Sequence, residues 1–289
     1  MVYQKAAHKP LESRRVKGEA VTAGQSKPYL RFERPSGWLQ YQVAGDGDPV
    51  VFLHGFGLDA AMWDPQWPAF CAHYRAIRYD LRGYGASSTP AEPYSHVEDF
   101  QALTEFLRAR PAHLVGLSMG GRYALRVAVQ NPEAVRSLTL ADTALDGHAW
   151  SPEWLRRWQE ISQAAKRGDI LGARRQWLHH PLFEPARRQP AVAAALETMV
   201  ARYSGWHWRE KDPDSTPAPP TAEVLASISV PTLMIVGELD LPDFQSIAQR
   251  IAARMPHVAL RTLPTAGHMA NLEAPREFND LVLEHLRRN

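Results

Sequence analysis

The chain has 289 residues, enough for one large domain or two small ones around a sizeable core. An apolar share of 45% is ordinary for a soluble globular protein, and a formal charge of +2 calls for no nucleic acid or other acidic partner. The single cysteine, Cys71, excludes an internal disulfide, no apolar run is long enough for a membrane span, and the first residues lack the apolar stretch of a secretory leader, so a cytoplasmic protein is expected.

Residues 1–28 are polar and aperiodic, carry six Lys/Arg against Glu12 and Glu19, and read as a flexible N-terminal extension. Order is expected from Tyr29. Leu30–Glu33 and Trp38–Val43 alternate with period two around Ser36-Gly37, which predicts a hairpin with one wet face. Val50–Leu53 is a continuous apolar run, as in a strand covered on both sides, and it ends in His54-Gly55-Phe56-Gly57. A helix over 60–72, a strand over 74–79 and the glycine-punctuated loop Asp80–Ser87 follow. Asp80 and Arg82 are expected to pair and hold that loop. Ser95-x-x-Glu98 is a capping box and opens a helix over 95–109.

Leu114–Leu117 reads as a buried strand, Ser118 follows at once, and Tyr123–Val129 reads as a helix. Gly116 and Gly120 flank the serine in a G-x-S-x-G pattern. A serine in so sharp a turn has strained backbone angles, and side chains at the flanking positions would strike the neighbouring strand and helix. Val135–Leu140 is the next strand, ending near Asp142.

The strand–helix alternation then stops. Residues 147–219 read as mostly helical and hold six of the nine tryptophans, at 150, 154, 158, 177, 206 and 208. They form an expected helical lid between two segments of one core, 29–146 and 220–289. The alternation resumes with a strand over 232–236 that runs into Gly237-Glu238-Leu239-Asp240. A helix over 242–254, a strand over 258–263, the turn Ala266-Gly267-His268 and a helix over 275–288 complete the chain. Such alternation predicts an α/β fold with a mostly parallel, doubly wound sheet.

Ligands of open parallel sheets bind at the C-terminal ends of the strands. The His54 turn, Asp80, Ser118, Asp142, Asp240 and His268 are all expected there. A serine hydroxyl becomes a nucleophile only when a base takes its proton, and a carboxylate fixes that base in the right tautomer. Chain order and the G-x-x-D pattern favour Ser118, Asp240 and His268. Asp142, after the preceding strand, is another carboxylate expected at that edge. His54 is expected to brace its loop, Arg122 to make a helix-surface ion pair, with reach to an acidic substrate as the alternative, and His207 to pack within the lid.

With these segments in hand the sequence resembles the α/β-hydrolase superfamily. HGFG at 54–57, DLRGYGAS at 80–87, GLSMGG at 116–121, GELD at 237–240 and AGH at 266–268 carry the resemblance across nearly the whole chain from about residue 30. It implies an eight-stranded sheet with a lid, Ser118 as nucleophile, His268 as base, Asp240 as acid, and an oxyanion hole from the backbone N–H groups of Phe56 and Met119. Trp63, Trp206 and Trp208 are the expected substrate contacts.

The implied activity is that of a carboxylesterase-like serine hydrolase cleaving small esters or lactones through an acyl-enzyme. Carbon–carbon bond hydrolysis of the meta-cleavage product type and cofactor-free perhydrolysis use the same residues, and a small-molecule receptor on this fold is the alternative from another class. No metal or organic cofactor is expected. The expected partner is a small-molecule ester or lactone, with no nucleic acid or membrane, and the chain is expected to be a monomer or small homo-oligomer. His268 is expected to titrate near neutrality.

Overall fold

The computed structural model describes residues 28–215 and 217–289, so all but the last residue of the expected N-terminal extension lies outside the described residues. The chain opens with strands β1 (Leu30–Arg34), β2 (Gly37–Ala44) and β3 (Pro49–Leu53). Helix α1 (Trp67–Cys71), β4 (Arg75–Tyr79), α2 (His96–Phe106), β5 (Ala112–Leu117), α3 (Met119–Gln130) and β6 (Val135–Ala141) follow. Five helices come next: α4 (Pro152–Lys166), α5 (Ile170–Leu178), α6 (Glu184–Arg187), α7 (Pro190–Arg202) and α8 (Trp206–Arg209). The chain then returns to the sheet through β7 (Thr232–Gly237), α9 (Pro242–Arg254), β8 (Val258–Leu263), α10 (Ala270–Glu273) and α11 (Pro275–Arg287).

The eight strands form one sheet in the order β1-β2-β4-β3-β5-β6-β7-β8. Pairings β1–β2 and β2–β4 are antiparallel, and the other five are parallel. β5 and β7 are buried along their whole length, as their unbroken apolar runs require, whereas the edge strand β8 alternates. Register aligns the ends that matter. Leu53 pairs with Gly116, which sets the turn after β3 beside the end of β5, and Leu117 pairs with Ala141.

Three local expectations need correction. The helix over 60–72 is instead a 3-10 turn at Ala60–Trp63 followed by α1. Pro65 and Pro68 lack the N–H that a continuous helix would use there. Helix α2 starts one residue after Ser95, whose hydroxyl accepts from Glu98 N at 3.3 Å, but ends at Phe106 because Arg108 turns left-handed at φ 52°. Asp80 and Arg82 do not pair. Asp80 accepts from Ala60 N and Ala86 N, each at 2.8 Å, while Arg82 makes a bidentate contact at 2.7 Å to Asp99 on α2. The Asp80 oxygens are taken by backbone donors, so the guanidinium finds its carboxylate on the neighbouring helix.

Helices α4–α8 lie over the C-terminal edge of the sheet. Arg126 of α3 holds both ends of this cover. It grips Asp146 with two bonds of 2.7 and 2.8 Å and Asp214 with one of 2.6 Å. Among the described residues, no helix is long and apolar enough to cross a membrane.

Candidate active site

Ser118 sits between β5 and α3 with φ 55° and ψ −115°, a conformation an L-residue rarely holds. The flanking glycines make it possible. A Cβ on Gly120 would collide with the Leu53 carbonyl, and one on Gly116 with the backbone of Gly120. Ser118 N donates to Ala141 O at 2.9 Å, and its own carbonyl accepts from Arg122 N and Ala144 N. Met119 is the first residue of α3, so its N–H has no acceptor within the helix. Phe56, in the turn after β3, and Met119 both line the cavity into which Ser118 opens.

His268 follows β8, and its Nδ1 lies 2.9 Å from Asp240 Oδ2. Against a carboxylate acceptor, Nδ1 carries the proton and Nε2 is left as the basic atom. Asp240 Oδ1 accepts from Leu241 N at 2.7 Å, which fixes the carboxylate plane. The histidine loop is held by Glu273, a residue the sequence reading passed over. Its two oxygens accept from Gly267 N at 2.7 Å and Met269 N at 2.9 Å. The only sequence signal was a carboxylate five residues after His268. The Phe244 ring lies 4.3 Å from the imidazole centroid and limits its rotation. The Ser118 hydroxyl makes no hydrogen bond to His268 among the described residues, though both line one cavity. Such pairs are often loose until a substrate bridges them.

Asp142 stands one strand away. Its Oδ1 accepts from Gly237 N at 2.8 Å, and burial, helped by the Asp240 charge, pushes its pKa up. Asp240, not Asp142, makes the contact to the histidine ring. Burial lowers the His268 pKa to about 4, against the opposing pull of nearby carboxyl groups such as Glu273. The expectation of an ionisation near neutrality is therefore corrected downward, because the ring is almost fully enclosed. His54 is neutral for the same reason, also at about 4. Its Nε2 accepts from Leu81 N at 2.9 Å and its Nδ1 faces Gly55 O, so it braces the turn that carries Phe56.

The cavity measures about 280 Å³ and its walls are mostly aromatic. The tryptophans that line it are Trp150, Trp154, Trp158 and Trp177, with Phe244 and Phe56 beside them. The three expected substrate contacts do not. Trp63 is fully buried in the core between Phe52 and Phe278, at 5.1 and 6.2 Å. Trp208 is buried behind the wall, 4.9 Å from Tyr203 and 6.4 Å from Trp177. Trp206 packs edge-on to His207 at 4.7 Å. His207 itself stacks on Tyr84 at 4.3 Å and packs as expected.

Arg122 makes its expected ion pair only at long range and also reaches the cavity. Its side chain lines the cavity, its Nη2 donates to Tyr123 OH at 2.9 Å, and its Nε stands 3.9 Å from Asp146, which Arg126 already grips. Burial pushes the Cys71 thiol up to about 11, and it lies away from the cavity. No cluster of three or more His, Cys, Asp or Glu side chains suited to a metal occurs among the described residues.

Strand order, elbow and histidine loop together define an α/β protein whose serine, imidazole and carboxylate meet at the C-terminal edge of the sheet. A sequence profile described as the alpha/beta hydrolase family matches residues 50–281, and the chain belongs to that family. The 3-oxoadipate enol-lactonase 2 of Acinetobacter baylyi is 30% identical over 259 residues, covering 86% of this chain and 93% of that protein. The enol-lactonase structure from Burkholderia xenovorans LB400 superposes with a TM-score of 0.76 at 25% identity, over 90% of this chain and 100% of that one. Est816, an N-acyl homoserine lactone degrading enzyme, superposes with a TM-score of 0.70 at 27% identity, over 88% and 99% of the two chains.

Proposed function

We propose that this protein is a serine hydrolase that cleaves small carboxylic esters or lactones through an acyl-enzyme. One observation carries the reading: an elbow serine opens into the same apolar cavity as a histidine whose Nδ1 is held 2.9 Å from a buried aspartate. Ser118 Oγ attacks the substrate carbonyl as His268 Nε2 takes its proton. The backbone N–H groups of Phe56 and Met119 receive the oxyanion, where the N-terminus of α3 adds a favourable dipole. The tetrahedral intermediate collapses, and the alcohol oxygen leaves with the proton from His268. Water then attacks the acyl group with the same base and the same donors, releasing the acid and restoring the serine.

The names of the relatives support ester or lactone bonds as the target. The aromatic walls and the volume favour short to medium acyl groups or a lactone ring over long chains. The test is Ser118→Ala assayed with nitrophenyl esters of rising acyl length and a few lactones. Turnover should fall on the order of a millionfold with an unchanged melting curve. Retained turnover in a normally folded variant overturns the reading.

A further inference from the structure

Behind the cavity two carboxyl groups and one imidazole meet in a space almost closed to water. Asp142 is 0% and Asp240 6% exposed. Both Asp240 oxygens are engaged, Oδ1 by Leu241 N and Oδ2 by His268 Nδ1. Asp142 Oδ1 is engaged by Gly237 N, but its Oδ2 is buried with no donor pointing at it. The two carboxyl groups are close enough for each to shift the other's ionisation. Two carboxylates have only acceptors to offer each other, so one of the pair must carry a proton. The atom without a donor is where it belongs.

We propose that Asp142 is a neutral carboxylic acid whose Oδ2–H donates to the Asp240 carboxylate, so that it acts as a positioning residue for the Asp240–His268 pair. Of the charged and titratable groups that face it, Asp240 raises its pKa and His268 lowers it. Asp240 and His268 act on it directly, with Glu273 and Asp243 acting on Asp240. Burial first, then the Asp240 charge, pushes the Asp142 carboxyl well above the usual carboxylate range. With one proton on the pair, the two aspartates hold a single negative charge for the single positive charge that His268 acquires during turnover. Two negative charges here would leave one buried and uncompensated. Asp142 takes a left-handed φ of 42°, which an aspartate tolerates and which turns its carboxyl toward the end of β7.

The proton assignment is independent of the reaction, whereas the positioning role rests on the hydrolase reading above. Asp142→Asn separates the two. The amide offers a neutral donor to Asp240 and a carbonyl to Gly237 N, so it reproduces what a neutral acid supplies. Infrared difference spectra at pH 8 should show a protonated-carboxyl band in the unaltered protein that disappears in Asp142→Asn. A spectrum without that band overturns the proton assignment whether or not any ester is cleaved. With a nitrophenyl acetate substrate, Asp142→Asn should keep kcat/KM within about threefold and leave the acid limb of the pH profile in place. Asp142→Ala, which removes the donor, should lower kcat about tenfold with little change in KM. An acid limb that moves downward in Asp142→Asn, as loss of a negative charge requires, overturns the proposal. So does a fall of about 10⁴-fold in that variant, which would make Asp142 the charged partner of the histidine.

Discussion

The sheet edge and the helical cover meet at one cavity, yet their residues are positioned by different means. At the sheet edge the backbone decides. Gly116 and Gly120 allow no side chain, Leu53 and Gly116 are in register, and Asp240 follows the end of β7 by three residues. In the cover the positions depend on how each helix is rotated about its own axis, and that is settled by packing against neighbours far away in the chain. Trp177 points into the cavity and Trp208 lies behind it, only 6.4 Å away. The proposed chemistry therefore rests on the first region and the proposed specificity on the second.

The largest effect that separates them should come from Asp240→Asn. An amide beside Nδ1 favours the wrong histidine tautomer and should cost roughly 10⁴-fold in turnover with binding little changed. A cover substitution should never reach that size. If Asp240→Asn loses less than Trp154→Ala, the division fails.

That division also explains what could be read from the chain. Ser118, Asp240 and His268 were legible because each is tied to a strand end by a glycine pattern: G-x-S-x-G, G-x-x-D and Ala-Gly-His. The sheet was legible from its apolar runs. Glu273 was not, because its work is to accept from two backbone N–H groups of the histidine loop, and no side-chain pattern marks that role. The expectation for Trp63, Trp206 and Trp208 rests on bulk, and bulk says nothing of direction. A core tryptophan and a pocket tryptophan have the same composition signature.

A paired comparison of tryptophans measures this. Trp63→Ala empties a fully buried site and should destabilise by about 3–5 kcal/mol while leaving the preferred acyl length unchanged. Trp154→Ala removes a partly exposed wall and should extend the preferred acyl length at smaller cost in stability. Thermal melts and a chain-length series on both variants decide it. A shifted preference in Trp63→Ala, or none in Trp154→Ala, would show that the cavity walls are drawn in the wrong place.

The pH profile tests the enclosure of the sheet edge. His268 must be neutral to act as base, and burial lowers its pKa from 6.5 to about 4. Activity should therefore be flat above pH 6.5 and fall only as pH drops toward 4. Stability carries the same sign. The unfolded chain protonates this ring below 6.5 while the folded one does not, so the contribution is present above pH 6.5 and is lost as pH falls toward 4. A midpoint of activity at or above 6.5, with the chemical step limiting, would mean that water reaches the ring.

The smallest expected effect lies where the two regions touch, at Arg122. It sits on α3, one turn beyond Ser118, and is the only lysine or arginine among the described residues that line the cavity. Its guanidinium is not spent on a close ion pair. Tyr123 OH takes one bond from Nη2, and Asp146 stands 3.9 Å from Nε with its oxygens already in the grip of Arg126. A cation with donors in reserve beside apolar walls favours a substrate that brings a carboxylate of its own. An ester carrying a free acid group at the far end of its acyl chain should then be cleaved faster than a neutral ester of the same shape. Arg122→Met should lower kcat/KM for the acidic ester about tenfold and leave the neutral one within about twofold. The side chain is partly open to solvent, so added salt should narrow the gap. An equal fall for both esters would show that Arg122 acts through the packing of the cover against α3, and the specificity of the cavity would then rest on its aromatic walls alone.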